Sequence, residues 1–160
     1  MHKQEELTAF WKAENRLYNE TNQLYHRLAR HNGLSDCTFW LLYTLRDEGG
    51  PMTQTQLSNL LCLSKQTVNS ALKQLVEAGC LRLEAEDGNL KNKRVCLTEL
   101  GEARLGPAID DVFRLEERAA ARLTAEERSA LLSLEEKLLD AFRAEAEQAI
   151  ARSAGFQEDV

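Results

Sequence analysis

The stretch MTQTQLSNLLCLSKQTVNSALKQLVEAGCLRLEAEDGNLKNKRVCLTELG, residues 52–101, decides the fold, because its hydrophobic period changes once along its length. With Val68 as reference, Ala71, Leu72, Leu75 and Val76 follow at i+3, i+4, i+7 and i+8, the stripe of an amphipathic helix. The opposite face holds Gln66, Ser70, Lys73 and Glu77, flanked by Thr67, Asn69 and Gln74. Upstream, Thr53 and Gln56 have the spacing of a capping box and predict a shorter helix, with Leu57, Leu60 and Leu61 on its apolar side. Leu63 and Ser64 form the turn between the two, and Ser64 is placed to cap the second helix. Gly79 ends that helix, since glycine takes the left-handed conformation at little cost. Beyond it the period becomes two. Leu81 and Leu83 alternate with Arg82 and Glu84, and Val95 and Leu97 alternate with Arg94 and Cys96. The Asp87-Gly88-Asn89 turn signal between them makes a hairpin.

Helix, turn, helix and hairpin, in that order, is the arrangement of a winged helix-turn-helix. An ordinary surface helix scatters long charged side chains over its polar face. The second helix here offers amides and hydroxyls, with Lys65 and Lys73 beside them. Such groups hydrogen-bond base edges while the cations hold phosphates. Taken alone, the helix is equally consistent with a polar face that meets only water. The hairpin shifts the balance. Its return strand carries Lys91, Asn92, Lys93 and Arg94, a basic cluster that suits a wing lying on a phosphate backbone or in a minor groove.

These residues resemble the MarR family of bacterial transcription regulators, which are small dimeric winged-helix proteins. The likeness runs from Ser64-x-x-Thr67, through Leu75 and Gly79, to Leu97-Thr98-x-x-Gly101, and the flanking helices fit as well. It implies a mainly α fold with a small β-hairpin wing and a helical dimerisation region. It further implies a homodimer on a palindromic double-stranded operator, a repressor's role, and release by a small-molecule effector. One position departs from the pattern. The family usually has Asp-x-Arg in the wing, and the corresponding residues here are Asn89, Leu90 and Lys91. A lysine lacks the planar fork of an arginine. The DNA-binding residues expected on this basis are Ser64, Lys65, Gln66, Thr67, Asn69, Ser70, Lys73, Asn89, Lys91, Lys93 and Arg94.

Charge is compatible with such a partner despite a net value of −6. Residues 51–100 hold 6 Lys+Arg against 5 Asp+Glu, whereas residues 101–160 hold 8 against 14. Local charge sets phosphate affinity, and the excess acid lies outside the helix-turn-helix. At 160 residues the chain has one domain's worth of sequence. It has no apolar run of membrane-spanning length, and MHKQEELTAF lacks a signal-peptide core, so a cytoplasmic location is expected. Cys37, Cys62, Cys80 and Cys96 form no C-x-x-C pair and read as small buried hydrophobes. His26 and His31 do not share a helix face, and no metal or cofactor is expected. No nucleophile, base and orienting group stand at a catalytic spacing, and no Gly-rich phosphate loop is present, so an enzyme is not expected. The alternatives to a DNA-binding regulator of this type are a winged-helix module that binds protein and a zinc- or redox-responsive regulator.

The flanks complete the organisation. Residues 4–31 predict a long helix with Leu7, Phe10, Trp11, Leu17, Tyr18, Leu24, Tyr25 and Leu28 along one side, stopped at His31-Asn32-Gly33. Ser35 caps a helix through Leu45, whose Phe39, Trp40 and Tyr43 either line a ligand cavity or are ordinary core. Thr98 caps a helix to Leu123 with a kink expected at Gly106-Pro107. Thr124 and Glu127 open a last helix with Leu131, Leu134, Leu138, Phe142, Ala146 and Ile150 in a stripe, and a frayed tail SAGFQEDV. The expected division is 1–34 for the N-terminal dimerisation helix, 35–100 for the winged region and 101–160 for the C-terminal dimerisation helices, intertwined as one domain. The apolar faces of the first and last helices are larger than a small winged domain needs, which favours a dimer.

Overall fold

The computed structural model describes residues 2–86 and 89–155, with side chains outside 86–92 and 153–155. Six helices and three strands follow in the order α1 (His2–His31), α2 (Asp36–Asp47), β1 (Met52–Thr53), α3 (Gln54–Leu60), α4 (Lys65–Glu77), β2 (Leu81–Glu86), β3 (Asn89–Leu97), α5 (Glu99–Ala120) and α6 (Ala125–Gly155). The chain separates into two compact units, Met1–Phe113 and Arg114–Val160.

Local chemistry sets the helix boundaries. The Ser35 hydroxyl accepts from the Thr38 amide and starts α2. At α3 the capping box is complete: Thr53 Oγ1 accepts from Gln56 N at 3.2 Å, and Gln56 Oε1 accepts from Thr53 N at 2.8 Å. Thr124 and Glu127 make the same reciprocal pair ahead of α6. Two expected boundaries move. α5 ends at Ala120 rather than Leu123, and α6 reaches Gly155, so only residues 156–160 of the expected tail lie outside the described residues. Pro107 sits inside α5, which continues through it.

The sheet is antiparallel in the order β1-β3-β2. β2 and β3 form the expected hairpin, with Leu81 opposite Leu97 and Leu83 opposite Val95. Its turn residues Asp87 and Gly88 lie outside the described residues. The third strand is new relative to the period analysis. Met52 and Thr53 pair with Val95 and Arg94 and tie the start of α3 to the wing.

The motif Gly79…Thr98-x-x-Gly101 acquires a physical reason. Gly79 has φ +72°, the left-handed turn that ends α4. The Thr98 hydroxyl donates to the Gly79 carbonyl at 2.7 Å and accepts from the Gly101 amide at 3.0 Å, while the Thr98 amide donates to Cys80 O at 3.0 Å. This knot brings α5 so close that any Cβ at Gly101 would collide with the Cys80 carbonyl. Only glycine fits there.

Two packed clusters lie in the first unit. One joins Leu41, Leu45, Met52, Leu57, Val68, Leu72, Leu75, Leu81 and Val95 beneath the helix-turn-helix and the sheet. The other joins Ala29, Phe39, Leu42, Ile109 and Val112. Some expected core positions lie at the margins. Leu60, Val76 and Leu83 are exposed. Cys96, read as a small buried hydrophobe, is buried, with its thiol beside Glu84.

Candidate nucleic-acid interface

α4 stands on a fixed base. Val68, Ala71, Leu72 and Leu75 bury its inner face, while Lys65, Gln66, Thr67, Asn69, Ser70, Lys73 and Gln74 are exposed on the other side. Its first turn is held at several points. Ser64 Oγ accepts from the Thr67 amide at 3.1 Å and shares a hydrogen bond with Thr67 Oγ1 at 2.8 Å. Gln54 Nε2 reaches across from α3 to the Lys65 carbonyl at 3.2 Å. The turn before it contains Cys62 at φ +50° and a bond from the Ser58 hydroxyl to Leu63 O at 2.7 Å. Cys62 is therefore exposed in the turn rather than buried, unlike Cys80 and Cys96.

The polar face is chemically uneven. Ser70 donates its hydroxyl proton back to the Gln66 carbonyl at 2.9 Å, so its outward function is to accept. Lys73 lies 3.8 Å from Glu77 one turn on, which offsets part of its charge. Lys65 and Lys73 flank the amides and hydroxyls, a layout suited to phosphates on either side of base edges.

The wing contributes Lys93 and Arg94, both exposed on β3. Lys93 stands opposite Ala85, and Arg94 lies between Thr53 and Glu84 in the ladder. The backbone of Asn89 and Lys91 belongs to β3, but their side chains lie outside the described residues. At the wing's base Arg82 Nε donates to Glu84 Oε1 at 2.6 Å and Nη1 to the Leu97 carbonyl at 3.2 Å. That hydrogen bond to Arg82 holds the Glu84 carboxyl below its ordinary pKa, and burial pushes the Cys96 thiol up.

Sequence spacing gave no sign of Arg46. Its guanidinium grips Asp110 through Nε at 2.9 Å and Nη2 at 3.0 Å, and reaches Glu102 through Nη1 at 3.0 Å. The Asp110 bonds come first among the causes that raise its pKa. This fork fastens α2, which supports the helix-turn-helix, to α5. A polar residue more than fifty positions from its partners leaves no periodic trace.

The three aromatic residues considered as cavity lining separate. Phe39 is buried, and Tyr43 packs its ring 4.8 Å from that of Phe113 and 5.3 Å from that of Trp40. Trp40 lines two open clefts. One, of about 600 Å³, is bounded by Tyr18, Asn22, Asp36, Cys37, Trp40 and leucines of the helix-turn-helix turn. The other, of about 470 Å³, adds His26, whose Nδ1 lies 2.8 Å from Asp36. Among the described residues, no three His, Cys, Asp or Glu side chains gather to hold a metal ion. Among the same residues, no helix is long and apolar enough to cross a membrane.

The comparisons with known proteins agree with this architecture. The model of the MarR family matches residues 32–89, which span α2, the helix-turn-helix and the outgoing wing strand. The HTH-type transcriptional repressor NicR of Pseudomonas putida is 28% identical over 123 residues, 77% of this chain and 77% of that protein. The structure of NMB1585, a MarR family regulator from Neisseria meningitidis, superposes with a TM-score of 0.71 at 21% identity, covering 86% of this chain and 95% of that one. The crystal structure of NadR in complex with 4-hydroxyphenylacetate gives 0.60 at 18% identity, with 82% and 89% covered.

Proposed function

We propose, because this chain belongs to the MarR family of winged helix-turn-helix transcription regulators, that it represses transcription by binding a palindromic operator as a homodimer in the cytoplasm. The observation that carries this reading is the exposed polar face of α4, held at its start by Ser64 and Gln54 and backed by a packed core. Two-fold symmetry sets two such helices in successive major grooves, about 34 Å apart. Gln66 and Ser70 address base edges, Thr67 and Asn69 bases or phosphates, and Ser64, Lys65 and Lys73 phosphates. Asn89, Lys91, Lys93 and Arg94 bring the wing to the neighbouring backbone.

The dimer is supported by the exposed apolar residues of α1 and α6, among them Leu7, Phe10, Leu17, Leu134, Leu139 and Ile150. Monomers rarely expose apolar patches of that extent, and a second copy of the chain is the simplest cover. A small-molecule effector is assigned to the clefts at Trp40, with Phe39 and Tyr43 backing that ring from the core. The clefts lie between α1, α2 and the helix-turn-helix turn, so an occupant there bears on the placement of α4.

Retardation of duplex DNA by the purified protein across a salt series tests the reading. Binding should weaken steeply as salt rises, because each phosphate contact releases counterions. Absence of retardation at low salt would turn the assignment toward a winged helix that binds protein.

A further inference from the structure

We infer that Gln66 reads an adenine in each operator half-site, and that Ser70 selects a neighbouring base with a major-groove amino group. The inference rests on the operator-binding role proposed above and deepens it. Helix geometry turns each residue by about 100° and places Gln66 and Ser70 within about 20° of the direction opposite Val68. They are the residues of the first two turns that point most directly away from the buried stripe, and both are exposed. The N-terminal part of a recognition helix is the part that meets base edges.

The hydrogen bonds then separate the roles. Thr67 is engaged with Ser64 in the cap and lies toward the flank. Among the described residues, no hydrogen bond holds the side-chain amide of Gln66, which keeps both its donor and its acceptor. A donor beside an acceptor matches the adenine N7 and N6 amino pair. Guanine presents two acceptors in the same groove, so the amide oxygen would face one of them. Ser70 differs because its proton is committed to the Gln66 carbonyl. Its remaining lone pairs accept, which favours the amino groups of adenine N6 or cytosine N4 over the carbonyls of guanine and thymine. The two side chains are about 6 Å apart along the helix axis, against a base-pair rise of about 3.4 Å. They therefore address base pairs no more than about two steps apart.

Selection of bound duplexes from a random library by the full-length protein tests this. Wild type should enrich an adenine at one symmetric position of both half-sites, and replacing it by guanine should cost about ten- to a hundredfold in affinity. Gln66→Arg should move that position to guanine, and Gln66→Glu should move it to cytosine, with the rest of the motif retained. Ser70→Ala should flatten a preference for adenine or cytosine close by, by about two- to tenfold. A motif identical for wild type and both Gln66 variants would overturn the inference while leaving operator binding intact, as would guanine or thymine at the responsive position in wild type. Failure of wild type to enrich any motif would overturn both.

Discussion

In α4 the residues Val68, Ala71, Leu72 and Leu75 are buried against α2, α3 and the sheet, whereas in α6 Leu131, Leu134, Phe142 and Ile150 stand 48 to 69% exposed. Both stripes recur at helical spacing, although α6 also carries Leu132 and Leu139 off its stripe and is the less sharply two-faced helix. Period identifies the apolar face of a helix and says nothing of what covers it. For α4 the cover is in the chain. The named α6 residues, and Leu7, Phe10, Leu17 and Leu24 of α1, stand exposed. The contrast separates a stripe covered within the chain from one that stands exposed, the face on which the proposed dimer rests.

Four substitutions break or sharpen that contrast. Leu57→Ala removes a fully buried side chain beneath the helix-turn-helix. It should cost about 2–5 kcal/mol in chemical denaturation, at every protein concentration. Phe142→Ala, on the exposed stripe of α6, should leave the secondary structure unchanged but weaken the proposed association by about 2 kcal/mol or more, as truncated aromatic anchors do. Sedimentation should show that weakening as a shift toward the mass of one chain on dilution. An unshifted dimer would remove α6 from the interface. Ser64→Ala takes the cap from α4. A loss of about 1 kcal/mol in thermal or chemical unfolding is expected. Lys91→Ala should leave folding alone and weaken operator and random duplex by similar factors. It should lower the salt slope by about 2 per dimer, since each subunit gives up one phosphate contact. A loss confined to the operator would mean that the wing reads sequence through a lysine.

Much of this organisation was legible because its determinants are local. The caps at Ser35, Thr53, Ser64 and Thr124 and the stop at Gly79 each depend on residues within a turn of one another. What escaped depends on distant partners. Met52 finds Val95 only once the hairpin has formed, and Arg46 finds Asp110 only when α5 returns to α2. Leu60, Val76 and Leu83 are exposed although their spacing matches the buried positions, because period marks a face and not its depth. At the polar face, spacing placed Gln66 and Ser70 together but gave no hint that Ser70 spends its proton on the helix backbone. That asymmetry exists only in three dimensions. The aromatic cluster divides the same way, with Trp40 at an opening and Phe39 enclosed, although the two are adjacent in sequence.

The central claim is that α4 reads DNA sequence through the face opposite Val68. The most direct measurement is the ratio of affinities for a selected operator and for a random duplex of equal length, taken for wild type and for Gln66→Ala at one salt concentration. The account predicts that the ratio falls by about five- to a hundredfold while affinity for the random duplex stays nearly constant, because a base contact is lost and phosphate contacts are kept. A ratio unchanged by Gln66→Ala would contradict it.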